Sequence, residues 1–244
     1  MYSSEQSVSD KVRLKYKRSA PTFWGSHYVL CLHGPCGSVE RDFEPCIERF
    51  DRDRFTLVAC ELNWAEPDQS VSWTDVWKRH AEHAATLMQQ LFYTPFSVLA
   101  HDDAALTALH LAASYPSLVR SLVLWDATVR VSRSHLTLLK EYTPPSQVNS
   151  PIYRRVVDDR QGHFENHTYR FDSIDRLRRV EQPVLLLVGD SNRLVTSEQA
   201  NLLNQLLPNA RISTCRNGDH ELHRKQHSAT WFRNTVEQFL DDVD

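Results

Sequence analysis

The chain has 244 residues, of which 41% are hydrophobic and 24% charged, with a formal net charge of -3. This size and composition suit one soluble domain, residues 1–244, with a sizeable core. The charge balance argues against a nucleic-acid partner, and no apolar run approaches the roughly 20 residues of a membrane-spanning helix. The polar start, MYSSEQSVSD, lacks the apolar core of a signal peptide. Five cysteines without metal-binding spacing favour a reduced, cytoplasmic protein.

Apolar runs predict seven strands that alternate with helices. In chain order the predicted strands are KVRLKYK, HYVLCLHG, FTLVACEL, FSVLA, VRSLVLWD, PVLLLVGD and ARISTC. The first, with scattered basic and apolar residues from Lys11 to Arg18, is typical of an edge strand. Helices are predicted at DFEPCIERF, VSWTDVWKRHAEHAATLMQQLF, AALTALHLAASYP, SEQANLLNQLLP and HSATWFRNTVEQFLDDV. The alternation predicts an α/β fold whose mainly parallel sheet carries helices on both faces.

The segment 130–179 interrupts this alternation between two strands. It contains several prolines and a polar run, DDRQGHFENHTYRF. We interpret it as a short cap insertion that covers the end of the sheet. Because a cap that shields a substrate from water is expected to be apolar, this polar one predicts a shallow or open pocket.

The stretch VLAHDDAALTALHLAASYP joins a predicted strand directly to an amphipathic helix. A strand, a tight small-residue turn and a helix form the nucleophile elbow of hydrolases, written G-x-S-x-G. Here the five positions are Ala100, His101, Asp102, Asp103 and Ala104, so Asp102 stands in place of the serine. A carboxylate nucleophile is suited to attack on a saturated carbon, as in epoxide or haloalkane hydrolysis, and poorly suited to ester cleavage.

Taken together, these motifs resemble the α/β-hydrolase superfamily and, within it, the valacyclovir hydrolase family. The resemblance covers nearly the whole chain and rests on HGPCGSVERDFEPCIERF, the elbow stretch, PVLLLVGDSNRLV and GDHELH. It implies an α/β-hydrolase fold with a reduced cap at 130–179. It also implies that His220 is the catalytic base and that Asp103 holds the α-amino group of an amino-acid ester. A small, amine-bearing ligand is therefore expected.

Three positions depart from the family's catalytic pattern. Asp102 replaces the serine, and Asn192 stands where the family places the acid, a change worth on the order of 10⁴ in turnover for a serine triad. Pro35 follows HG and has no N–H for an oxyanion, a loss of about 2.7–4 kcal/mol of transition-state stabilisation. Cys36 or Gly37 would replace that donor only in a rearranged loop.

Two other acids are candidates to replace the missing one. Asp190 lies two residues before Asn192, and Asp126 closes the strand VRSLVLWD. An aspartate at the end of a strand is also common as a turn or helix cap, so the structural role is favoured for Asp126.

Three functional interpretations stay open. The combined departures favour a hydrolase scaffold that no longer catalyses and binds a small molecule or a protein. Alternatively, Asp102 attacks a saturated carbon and His220 activates water, although Asp103 replaces the tryptophan that such enzymes place after the aspartate. The third is a weak amino-acid esterase in which His220 acts on water directly. No cofactor is expected, and a metal site of Asp102, Asp103 and His220 is disfavoured because no supporting pattern is visible around these residues.

Overall fold

A computed structural model describes residues 2–19, 27–64, 71–143, 145–146, 148–171 and 174–243. Parts of the predicted cap, at 144, 147 and 172–173, lie outside these ranges. In the described ranges eight strands form one sheet in the order β1-β2-β4-β3-β5-β6-β7-β8. Their bounds are β1 Tyr2–Ser9, β2 Val12–Arg18, β3 His27–Leu32, β4 Phe55–Cys60, β5 Phe96–His101, β6 Val119–Trp125, β7 Val184–Gly189 and β8 Ala210–Cys215.

The sheet is parallel from β4 to β8 and antiparallel where β1 and β2 join it. Every residue of β4, β5 and β7 is buried, as expected for strands covered on both faces. The predicted mainly parallel α/β sheet is thus confirmed. One detail was wrong, because β2 pairs on both sides and the edge is formed by β1. The sequence YSSEQSVS of β1 is too polar to predict a strand, and pairing with β2 supplies its order.

The helices follow the predicted alternation. Their bounds are α1 Glu44–Ile47, α2 Trp73–Gln90, α3 Ala104–Ser114, α4 Arg133–Tyr142, α5 Pro151–Glu165, α6 Ile174–Leu177, α7 Ser197–Leu206 and α8 Gln226–Asp242. A π-helical turn, Val39–Phe43, leads directly into α1. Helices α4 to α6 occupy the insertion between β6 and β7, where the sequence predicts the cap.

Two apolar layers sandwich the sheet. One layer packs α2, α3 and the cap helices against the sheet, and the other packs α1 and α8. In the second layer Phe232 of α8 is fully buried and meets Trp125 of β6 edge-on at 5.0 Å between ring centroids. None of the helices in the described part of the chain is both long and apolar enough to cross a membrane.

The strand order places a crevice at the carboxyl end of the sheet. The chain passes from β3 to β4 on one side and then returns across β3 to β5 on the other, and ligands of open α/β sheets bind at such a switch point. The loop after β3 begins with His33 and Gly34, and β5 ends directly before Asp102. A Cβ atom on Gly34 would lie 3.0 Å from the Cβ of Asp102. The two loops therefore meet at the position of the predicted elbow.

The buried aromatic contact of α8 generates a stability prediction. Phe232→Ala should lower the free energy of unfolding by about 3–5 kcal/mol, because it leaves a cavity beside Trp125. Phe92→Ala is the matched control: this phenylalanine is 88% exposed, so its removal should change stability by less than about 0.5 kcal/mol. Chemical denaturation measures both, and equal losses would contradict the packing described for α8.

Candidate functional site

The predicted elbow is present at the end of β5. Asp102 adopts a left-handed backbone conformation with φ of 53°, and α3 begins two residues later. The Asp102 N–H donates to the Trp125 carbonyl at 3.1 Å, and the Asp102 carbonyl accepts from the Ala105 N–H at 3.0 Å. A non-glycine residue at positive φ is uncommon, although aspartate is among the residues that tolerate it best. The turn that exposes a nucleophile is thus kept with an acid in place of serine.

The loop after β3 lacks the expected backbone donor. Pro35 is buried and carries no N–H. The Gly37 N–H is already engaged, because it donates to the Gly34 carbonyl at 3.0 Å. Cys36 lines the pocket in front of Asp102, and its N–H is the remaining backbone donor between Pro35 and Gly37. Burial raises the pKa of the Cys36 thiol to about 12, so this side chain stays protonated.

Two buried arginines from the cap hold the acids of the elbow. Arg170 donates from Nη1 to Asp103 Oδ1 at 2.5 Å and from Nη2 to Asp103 Oδ2 at 2.6 Å. Arg160, on α5, donates from Nη2 to Asp103 Oδ1 at 2.8 Å and to Asp102 Oδ1 at 3.1 Å. Arg170 Nε also donates to Asp159 Oδ2 at 3.2 Å. We call Asp102, Asp103, Arg160 and Arg170 the elbow ion cluster.

Charge and burial act in opposite directions on the two acids of this cluster. For Asp103, burial favours the neutral acid, but Arg160 and then Arg170 outweigh it and hold the pKa below its ordinary value. For Asp102, burial and the adjacent Asp103 carboxylate raise the pKa despite Arg160. The pKa of the Arg170 guanidinium is raised by Asp103 against the effect of burial. Asp103 is therefore the firmly ionised partner of the two arginines.

The elbow ion cluster occupies the carboxylate to which the family resemblance assigns a ligand amino group. Both oxygens of Asp103 accept hydrogen bonds from arginine, and its side chain is fully buried. A ligand amine would have to compete with Arg160 and Arg170 for this carboxylate. The contact of Asp103 with a ligand stays a prediction.

His220 lies near the elbow, and the carboxylate of Asp126 lies beside it. Its Nδ1 is 2.8 Å from Asp126 Oδ2, and both side chains are buried. Burial by itself would lower the pKa of His220, but the attraction of Asp126, followed by that of Asp102, raises it. Asp126 follows β6 with φ of 56°, which turns its side chain toward the elbow. The acid that supports His220 is thus Asp126.

This geometry corrects the assignment of Asn192. Instead of orienting His220, Asn192 donates from Nδ2 to Asp126 Oδ1 at 2.8 Å. Its Oδ1 accepts from the N–H groups of Leu194 and Val195, both at 3.0 Å. Asp190 is exposed and accepts from its neighbour Ser191, so it does not replace the acid. Asp126 thus contacts both Asn192 and His220, the position expected of an acid that replaces Asn192.

His101 brings a further acid into the same cluster. Its Nε2 lies 3.9 Å from Asp126 Oδ2, and its Nδ1 lies 3.4 Å from Asp42 Oδ2. The ring stacks on Trp125 with 4.3 Å between centroids and lies 5.1 Å from the ring of His220. Burial opposes ionisation of Asp42, but His101 and the more distant histidines lower its pKa to about 2. His101 and Asp42 are residues that sequence reasoning did not assign to the site.

The pocket in front of Asp102 is small. Its volume is about 30 Å³, enough for one or two water molecules. Ligand sites for drug-sized molecules measure roughly 300–1,000 Å³. The lining includes Gly34, Cys36, Leu139, Thr143, Arg160 and His220. This small volume is consistent with the shallow pocket that the polar cap predicts, and a groove of about 660 Å³ reaches His220 from outside.

Comparison with known proteins identifies the relatives of the chain. No protein-family model matches it. It is 28% identical to serine hydrolase BPHL of Mus musculus and 27% identical to that of Homo sapiens, each over 94% of this chain and 83% of the relative. The chain is a homologue of serine hydrolase BPHL. The esterase RhEst1 from Rhodococcus sp. ECU1013, with 16% identity, superposes over the full length of both chains with a TM-score of 0.74, which supports the α/β-hydrolase fold.

The elbow ion cluster of this BPHL homologue generates a prediction for stability. Asp103→Asn should lower the free energy of unfolding by about 3–5 kcal/mol, because two buried guanidinium groups lose their main partner. Asp102→Asn is the matched control and should lose less, since Asp102 receives a single arginine bond and its side chain is 15% exposed.

The stability that Asp103 contributes should also decrease as the pH falls. Because folding lowers the pKa of Asp103, its contribution is full above the unfolded value of about 3.9 and is lost as the pH falls through the folded value. Urea denaturation of the parent and Asp103→Asn at several pH values measures it. A difference that grows on acidification would contradict the charge assignment.

The pairing of His220 with Asp126 predicts the direction in which the pKa of His220 is shifted in the homologue. By NMR, the pKa of His220 should lie above the ordinary value of about 6.5. Asp126→Asn should lower it, since burial then acts without the nearest counter-charge, and Asn192→Ala should lower it less because Asp126 keeps its charge. An unchanged pKa in Asp126→Asn would show that another acid supports His220.

Proposed function

We propose that this BPHL homologue is a non-hydrolytic member of the α/β-hydrolase fold that acts as a binding scaffold. The observation that carries the proposal is the contact of Arg160 with Asp102, the residue at the nucleophile position. Arg160 occupies one oxygen of this carboxylate, while burial and the adjacent Asp103 raise its pKa, so the anionic form that would attack is both engaged and disfavoured. The attacking group of the elbow is therefore restrained before any substrate arrives.

Two further observations support the absence of ester hydrolysis. Pro35 removes one backbone donor of the oxyanion site, and the neighbouring Gly37 N–H is engaged within its own turn. The pocket of about 30 Å³ disfavours a buried ester, so an ester would reach the elbow only from the outer groove of about 660 Å³ beside His220. The same small volume argues against an organic ligand at the elbow, so a protein partner is the better candidate for a scaffold of this kind.

A second candidate function is hydrolysis at a saturated carbon with Asp102 as the nucleophile. It is favoured by one specific observation, the pairing of His220 with Asp126 at 2.8 Å on the same corner as Asp102. In this route Asp102 displaces a leaving group to form an alkyl ester, and water activated by His220 cleaves that ester and regenerates the carboxylate. Arg160 on Asp102 and the negative Asp103 beside it count against the route.

A hydrolysis panel with a built-in positive control tests the proposal. The purified chain should show no turnover above buffer on amino-acid esters, aryl esters, epoxides or haloalkanes. Asp102→Ser combined with Pro35→Met should gain ester hydrolysis, because it returns a hydroxyl and a backbone donor beside the existing His220 and Asp126 pair. His220→Ala added to that variant should abolish the gain. Parental turnover that His220→Ala removes would overturn the proposal.

Covalent trapping distinguishes the scaffold proposal from the second candidate, hydrolysis at a saturated carbon. In His220→Ala, an epoxide or alkyl bromide should leave no mass adduct on the peptide that contains Asp102. Arg160→Ala in the same background releases Asp102 and reports whether the guanidinium restrains it. An adduct at Asp102 without the Arg160 change would establish the aspartate as a live nucleophile, and the alkyl-transfer route would replace the scaffold.

A further inference from the structure

We propose that His101, Asp126 and His220 form a binding site for a divalent transition metal ion, with Zn²⁺ as the reference ion. Their donor atoms, one from each side chain, all lie within 4.8 Å of one another, and all three residues are buried. Two imidazole nitrogens and one carboxylate oxygen form a donor set that Zn²⁺ uses when a further position is kept for water. The proposal goes beyond the scaffold function and does not depend on it.

Two of the three distances between donor atoms are close to those of a tetrahedral zinc site. His220 Nδ1 and His101 Nε2 lie 2.8 and 3.9 Å from Asp126 Oδ2. In a tetrahedral site with metal–ligand distances of about 2.0–2.2 Å, ligand atoms are separated by roughly 3.4 Å. These two distances differ from that value by about half an ångström, and the two histidine nitrogens, within 4.8 Å of each other, would have to approach by up to about 1.4 Å, which requires rotation of a histidine side chain. Nitrogen donors also select Zn²⁺ or a neighbouring transition metal over Mg²⁺ or Ca²⁺.

The orientation of His101 is an independent observation that points to a ligand. Its side chain is more than nine-tenths buried, and its Nε2 has no hydrogen-bond partner among the described residues. Nδ1 faces the Asp42 carboxylate at 3.4 Å, an arrangement that places the proton on Nδ1 and leaves the Nε2 lone pair directed at Asp126. Metal-bound histidines are held in this way by a carboxylate on the opposite ring nitrogen. Stacking on Trp125 fixes the plane of the ring.

The remaining contacts and charges suit a dication. Asn192 holds Asp126 Oδ1 at 2.8 Å, which leaves Oδ2 for the ion. Asp42 and Asp126 are both buried and together carry two negative charges when ionised, so one dication with two neutral imidazoles balances them. His101 and His220 also line the small pocket before Asp102, which provides room for a water molecule as the fourth ligand. Binding displaces the proton that His220 otherwise shares with Asp126.

Zinc titration of the chelator-treated, full-length protein tests the site. We expect one Zn²⁺ per chain in competition with a chromophoric chelator, with protons released on binding. His101→Gln should weaken binding by more than about 100-fold, and Asp42→Asn by about 10–100-fold, since it loses only the support of the ligand. His227→Gln changes an exposed histidine outside the cluster and should leave affinity unchanged. Binding that survives His101→Gln unchanged, or its complete absence in the parent, would overturn the proposal.

Spectroscopy of the unmodified, metal-loaded chain tests the site without relying on the folding of any variant. X-ray absorption of the zinc-loaded protein should show two imidazole ligands and additional oxygen ligands, and the Co²⁺ form should have the visible spectrum of a four- or five-coordinate ion. A six-coordinate, all-oxygen environment would place the ion elsewhere and would refute the site. Neither readout involves turnover, so the outcome is separate from that of the hydrolysis panel.

Discussion

The contact of Asp103 with two buried arginines is the interaction on which the upper half of this molecule depends. Arg160 and Arg170 come from the cap insertion, while Asp103 begins the helix of the elbow, so their hydrogen bonds join the cap to the sheet. Charges of this kind are stable away from water only when each has its partner in place. The contact therefore joins α5 and the segment of Arg170 to the turn that carries Asp102.

The acidic residues at the elbow therefore fall into two groups, one paired with arginines and the other with histidines. On the side of α5, the carboxylates are neutralised by guanidinium groups, which remain charged at every accessible pH. On the side of β6, Asp126 and Asp42 face the rings of His101 and His220, whose charge depends on protons or on a bound cation. The first side favours a fixed structure, whereas the second retains groups that can exchange a proton or bind an ion.

Strained backbone is kept at both strand ends that build the site. Asp102 and Asp126 have φ of 53° and 56°, and such conformations cost on the order of 1–3 kcal/mol each unless the surroundings hold them. Gly34 allows the close approach of Asp102, since a side chain there would be compressed against it. Asn192 and His220 together hold Asp126. The strand–turn–helix geometry of the elbow is thus present with an aspartate at its turn.

Apolar patterns along the chain predicted the central strands, the helices between them and the strand–turn–helix of the elbow, because buried strands and amphipathic helices carry local periodicity. The choice of His220 depended on the family resemblance. The sequence did not determine β1, whose polar residues become ordered only by pairing with β2. Local patterns also left Asp126 and Asp190 both open as the acid, since Asp126 and His220 are 94 residues apart in number and meet only when β6 and the loop after β8 reach the same end of the sheet. The sequence also did not predict that two arginines bind Asp103, because these residues meet only in the folded chain. Arg160 and Arg170 belong to a polar run that is typical of a solvated surface, and only the packing of the cap on the elbow buries them against the acids.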